Sequence, residues 1–287
     1  MKRNDLAKAW VGSVVAAALL AGCSNGDAND VSTNASNAGN ASELGHIHGL
    51  GVSDGTLYVA THHGLFTVSD DREAQLVSED DHDFMGFTVV EDGMFLASGH
   101  PASRTDLPAN LGLLESTDGG KTWTSLSLMG DVDFHALAAT DDAVYGQDSA
   151  SGELFVSADR TSWQRRGQVP LADVAINPTD SSVIVITTAA GPHISDDGGT
   201  SFEALEGAPV LMLVDWPQQD ELVGVTPDGA LYRSADGGST WAGHGDVGDQ
   251  PHAMTIGPDG AVYVATEHAI LVSSDGGDTF TVWYDVG

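Results

Sequence analysis

From Gly45 to the C-terminus, apolar and polar residues alternate in short runs, each closed by Gly, Asp, Asn or Ser. Successive side chains of a strand point to opposite faces, so such a run presents one apolar and one polar side. The first four runs are HIHGLGV (46–52), TLYVATHH (56–63), LFTVSD (65–70) and AQLVSE (74–79). Further groups begin near Asp83, Asp133, Leu171, Val210 and Pro251, and nothing in this region carries a helical period. The pattern predicts an all-β domain over residues 45–287, made of six units with four short strands each.

Within a unit, the third and fourth runs are joined by a recurrent polar segment. It reads STDGGKTW (Ser116–Trp123), SDDGGTSF (Ser195–Phe202), SADGGSTW (Ser234–Trp241) and SSDGGDTF (Ser273–Phe280). A copy one residue shorter, SADRTSW, runs from Ser157 to Trp163, and a worn one survives at Ser69-Asp70-Asp71. The leading serines are spaced 47, 41, 38, 39 and 39 residues apart. A period near forty residues with four strands in each predicts a β-propeller. Six blades follow, with seven as the alternative, which would need one further unit not visible in the sequence. A spare strand at 43–45 or at 282–286 is expected to be available for closing the ring.

The segment has a physical logic. Its paired glycines supply the positive φ angles of a tight turn. The carboxylates of Asp118, Asp159, Asp197, Asp236 and Asp275 can accept hydrogen bonds from backbone N–H groups of that turn. The closing Trp123, Trp163, Phe202, Trp241 and Phe280 then fold back as apolar lids. These segments resemble the Asp-box (BNR) repeat of sialidases, sortilin-type receptors and the photosystem II assembly factor. In those families the box is a structural turn, so the resemblance implies a fold and leaves activity open.

The chain begins with basic residues, Lys2, Arg3 and Lys8, followed by an apolar run from Trp10 to Leu20. That run is too short for a spanning helix and reads as a secretory signal over residues 1–22. Its ending, Leu20-Ala21-Gly22-Cys23, resembles the lipobox of bacterial lipoproteins. The resemblance implies that Cys23 is lipidated and anchors the protein to the outer side of the cell membrane. Cys23 is the only cysteine, so no disulfide forms within the chain. Residues 23–44, rich in Asn, Ala, Ser and Gly, read as a flexible tether reaching about 25 Å.

Composition adds one constraint. The formal net charge is −32. Cleavage after residue 22 removes three positive charges (Lys2, Arg3, Lys8) and one negative (Asp5), which takes it to −34. Such a field repels nucleic acid and anionic lipid, and favours cations or basic partners. It also suits a solvated acidic surface in a salty habitat, and no protein partner is legible.

The eleven histidines carry the chemical signal. In a propeller blade the chain runs from the central tunnel outward, so the turns fall alternately on two faces. By this map all eleven lie opposite the Asp boxes. The innermost strands share a phase: His48-Gly-Leu-Gly-Val, Met85-Gly-Phe-Thr-Val, His135-Ala-Leu-Ala-Ala and His252-Ala-Met-Thr-Ile. The leading position therefore places His252, His48, Met85 and His135 around the tunnel mouth on successive blades, joined by His46, His62 and His100. Imidazoles with a thioether suit copper, and imidazoles alone suit zinc. A polar lining for a small ligand without metal is the competing reading.

Over nearly all of residues 45–287 the chain also resembles bacterial sialidase-like lipoproteins labelled glycosyl hydrolases. Sialidases hold a carboxylate with three arginines and attack with a tyrosine. Of Arg72, Arg104, Arg160, Arg165, Arg166 and Arg233, only Arg104 is expected on the histidine face, so that machinery does not carry over. Asp83, Asp133, Asp148 and Glu267 leave open a two-carboxylate hydrolase acting on a neutral or basic glycan. The sequence thus predicts a lipid-anchored binding propeller for a metal, small molecule or glycan, with glycoside hydrolysis as the alternative.

Overall fold

A computed structural model describes residues 44–77 and 80–287. The predicted signal peptide, Cys23 and nearly all of the tether lie outside the described residues. The alternating runs form six antiparallel sheets of four consecutive strands. Blade one comprises β1 (Ile47–Ser53), β2 (Thr56–Thr61), β3 (Gly64–Val68) and β4 (Ala74–Leu76). Blade two has β5 (Asp83–Glu91), β6 (Met94–His100), β7 (Leu113–Ser116) and β8 (Thr124–Ser127). Blade three has β9 (Phe134–Ala139), β10 (Val144–Asp148), β11 (Glu153–Ser157) and β12 (Gln164–Gln168). Blade four has β13 (Asp173–Ile176), β14 (Ile184–Thr187), β15 (His193–Ser195) and β16 (Glu203–Ala204). Blade five has β17 (Leu213–Gln218), β18 (Glu221–Val225), β19 (Ala230–Ser234) and β20 (Ala242–Asp246). Blade six has β21 (Ala253–Ile256), β22 (Val262–Ala265), β23 (Ala269–Ser273) and β24 (Thr281–Asp285).

Strands β1, β5, β9, β13, β17 and β21 surround a central channel of about 520 Å³. Six apolar clusters fill the spaces between neighbouring blades. The last of these spaces closes the ring, with Leu44, Ile47 and Leu50 packing against Ala265, Ile270 and Tyr284. Among the described residues no strand is exchanged between blades: residues 281–285 complete their own blade. Closure rests on apolar packing between sheets, and the ring holds six blades. Leu44, at the end of the predicted tether, is fully buried in that packing.

The boxes form the turns the sequence predicts. Ser116 Oγ accepts from Gly120 N–H at 2.8 Å and lies 2.9 Å from Asp118 Oδ1. Asp118 in turn accepts from the Thr122 backbone N–H at 2.9 Å and from its hydroxyl at 2.7 Å. Equivalent bonds recur around Asp197, Asp236 and Asp275. In the short copy, Arg160 takes the left-handed conformation (φ 63°) that glycine supplies elsewhere. Each full box is wedged against the preceding blade: a methyl group on Gly277 would come within 2.2 Å of Leu231. The boxes therefore stitch neighbouring blades together at the rim.

That arrangement corrects one expectation. His244, on β20, places Nδ1 2.7 Å from Oδ1 of Asp278, inside the sixth box. The histidines are therefore not all opposite the boxes.

Candidate metal centre

The shared phase of the inner strands has a local cause. In blade one the ladder pairs Ile47 with Thr61 and Gly49 with Ala60, leaving His48 as an extra, bulged residue. Met85 is skipped in the same way between Phe84 and Gly86, and His135 between Phe134 and Ala136. A bulge bends its strand and re-aims the side chain of the unpaired residue. His252 stands just ahead of β21, with its N–H donated to Ala265 O at 2.7 Å. His48, His135 and His252 line the channel.

Among the described residues those three histidines are not one of the groups whose ligand atoms all lie within 4.8 Å of one another. Around blade one, His46, His48 and His62 each offer a nitrogen within 4.8 Å of the others. His48 Nε2 is 3.3 Å from both ring nitrogens of His62. The rings of His46 and His48 lie 4.7 Å apart, and His252 stacks on His46 at 4.6 Å. His62 Nδ1 sits 2.8 Å from Asp83 Oδ1, so Nδ1–H donates to the carboxylate and Nε2 keeps its lone pair. Burial pushes the His48 imidazole down to about 4, and the neighbouring His62 and His46 add to the shift. Burial also lowers His46, assisted by His252 and His62. Both rings are therefore neutral near pH 7, the form that binds metal.

A second group spans blades two and three: His100, Asp133 and His135. Asp133 is buried, and its Oδ2 is 2.8 Å from His135 Nε2 and 3.4 Å from His100 Nε2. Burial works to raise its carboxyl, but bonds from His135 and Ser149 and the histidine charges outweigh it, and the net shift is downward. Met85 is bulged out of its ladder as His48 and His135 are. Asp83 and Asp133 matter as partners of histidines, a role that sequence reasoning missed. The spacing Asp133-Phe134-His135 and the pairing of Asp83 opposite His100 were the available signals.

A groove of about 300 Å³ runs beside His46 and His252 and is also lined by Glu267 and His268. His82, by contrast, is buried and accepts the Ala102 N–H at 3.0 Å, which ties the 100–112 loop to the blade. The arginines are dispersed: Arg160 pairs with Glu115, Arg165 with Glu153, Arg233 with Glu221 and Arg104 with Asp81.

Comparison with known proteins agrees with this architecture. The BNR/Asp-box repeat family matches residues 114–125, the first complete box. No curated protein sequence matches the chain. Among solved structures, one of a nidogen/laminin complex gives a TM-score of 0.60 at 12% identity, covering 79% of this chain and 91% of that one. YCF48 bound to D1 peptide gives 0.55 at 13% identity, covering 77% and 90%. A GH74 xyloglucanase from Xanthomonas campestris gives 0.50 at 16% identity and covers 83% of this chain. This chain spans only 53% of that enzyme. Identities this low speak for a shared fold alone. The chain is thus a six-bladed β-propeller of four-stranded blades that carries a BNR/Asp-box repeat.

Proposed function

We propose that this propeller is a binding module whose His46, His48 and His62 hold a transition-metal ion, zinc or copper, at the mouth of the channel. One observation carries the reading: three imidazoles present nitrogens within 4.8 Å of one another, and the His62 ring is braced by Asp83 at 2.8 Å. Ligating histidines characteristically donate their second ring N–H to a carboxylate, which fixes tautomer and orientation. Three such nitrogens leave a coordination position open for water or a small ligand, and the groove beside His46 offers room for one. The protein's negative field draws cations to the mouth. On this reading the lipid on Cys23 keeps the module at the outer membrane surface, and its ligand reaches it from outside the cell.

The glycoside hydrolase alternative has less support. Of its candidate acids, Asp83 is engaged by His62 and Asp133 by His135 and Ser149. Asp148 accepts from Ser151 and from the Asp133 N–H.

The test is elemental analysis of protein purified without a histidine tag, followed by calorimetric titration with zinc and with copper. Binding well below millimolar is expected, reduced in the triple variant His46→Ala/His48→Ala/His62→Ala. Millimolar or weaker affinity of the wild type for both ions would leave the histidines as a polar lining.

A further inference from the structure

His100, Asp133 and His135 sit on different blades from the three-histidine group and differ from it chemically. His100 Nδ1 lies 2.9 Å from the backbone oxygen of Ala109. A carbonyl only accepts, so Nδ1 carries the hydrogen, and Nε2 faces Asp133 Oδ2 at 3.4 Å. His100, Asp133 and His135 offer ligand atoms that all lie within 4.8 Å of one another. The carboxylate itself is incomplete. Its Oδ2 takes Ser149 Oγ–H at 2.9 Å and His135 Nε2 at 2.8 Å. Its Oδ1 is buried and has no hydrogen-bond partner among the described residues. Burying a carboxylate with an orphan oxygen is costly unless a cation completes it.

We infer that His100, Asp133 and His135 form a second divalent-metal site, of the two-imidazole, one-carboxylate kind, separate from the three-histidine site. The spacing suits an ion. Metal–nitrogen bonds of about 2.0–2.1 Å in a tetrahedral shell set ligand atoms roughly 3.3 Å apart, close to the separations found here. Metal entry requires that His135 Nε2 give up its bond to Asp133 Oδ2 and turn its lone pair to the ion. The outer support is already in place, because His100 Nδ1–H is held by the Ala109 carbonyl and Asp133 Oδ2 by Ser149. The loop supplying Ala109 is itself tied down, through Ala102 N–H to His82 and through Leu111 N–H to Gly99 O. A carboxylate makes this set harder than three imidazoles, suiting zinc, iron(II) or cobalt(II), with positions open toward the mouth.

Cobalt(II) is the probe, since its visible absorption reports coordination directly. Titration of the untagged wild type should saturate at two equivalents. His100→Ala, a half-exposed position, should remove one equivalent and alter the spectrum, leaving the other intact. The double variant His46→Ala/His62→Ala should lose the complementary equivalent. Asp133→Asn should match His100→Ala in metal uptake, and the latter stands alone if the asparagine variant fails to fold. Unchanged stoichiometry and spectrum in His100→Ala would overturn the second site, whatever happens at the first. Loss of all binding in His46→Ala/His62→Ala would overturn it too, by showing a single site.

Discussion

His62 on blade one donates from Nδ1 to the Asp83 carboxylate on blade two, 2.8 Å away. This bond crosses a blade interface, so packing between two sheets fixes the angle at which one imidazole faces the other two. The orientation of the site is thus coupled to the propeller ring.

The first prediction concerns that bond. Asp83→Asn should lower zinc or copper affinity by about 10–100-fold, the usual effect of losing an outer-shell partner. The melting temperature of the metal-free protein should change little, because Asp83 is only half-buried. Calorimetric titration beside a thermal melt separates the two effects. Wild-type affinity in this variant would mean that Asp83 plays no part in orienting the ligand.

The boxes should govern stability and leave metal binding alone. Gly277→Ala places a side chain against Leu231 at a φ of 94°, where only glycine is comfortable. Overpacking of this kind costs about 1–3 kcal/mol. Trp241→Ala, which empties an apolar site between blades four and five, should cost about 3–5 kcal/mol. Both variants should melt earlier and bind metal as the wild type does. Weakened binding at unchanged stability would place the working surface at the rim.

Ring closure gives a third prediction. Leu44 is fully buried between the first and last blades, where no shared strand among the described residues supports the joint. Leu44→Ala should cost about 2–5 kcal/mol. A chain starting at Gly45 should melt at a similarly reduced temperature. Equal melting of the truncated and full-length proteins would show that the joint holds without this residue.

The channel carboxyls set a dependence on pH. Burial pushes Asp173 up to about 7, opposed by N–H bonds from Val214 and Val174 and reinforced by Asp215. Burial raises Asp215 as well. An unfolded aspartate titrates near about 3.9, so between about pH 4 and 7 the folded chain binds more protons and this residue's contribution to stability falls as pH rises. The boxes act in the opposite sense. Hydrogen bonds from Ser201 and Ser195 hold Asp197 at about 2, a contribution present above about pH 4 and lost on acidification. Melting curves of wild type and Asp173→Asn across pH 3–8 should diverge between 4 and 7, with the wild type losing ground. Parallel curves would refute the raised carboxyl.

The anchor is tested by Cys23→Ser, which should shift the protein from the membrane fraction to the soluble one. On the proposed reading Cys23 would be the attachment point and its lipid would supply the hold. A wild-type protein without acyl mass, fractionating as the variant does, would remove the anchor.

The sequence by itself determined the repeat and the blade. Alternation over a few residues fixes a strand, and Ser-Asp-Gly-Gly with a closing aromatic fixes a turn, because both depend on contacts within one short segment. It also brought the histidines to one region, since equal positions in repeated units become equal heights in a ring. Only the tertiary structure decided how they group. The bulges at His48, Met85 and His135 re-aim side chains by amounts that depend on the pairing of each ladder. Asp83 reaches His62 from the neighbouring blade, and Asp133 stands two residues before His135 but also faces His100 on the preceding blade. His244 was misplaced because a strand-by-strand map ignores blade twist, which brings an outer strand against the next blade's box. Local periodicity sets which residues reach the mouth, and packing between blades sets which of them touch.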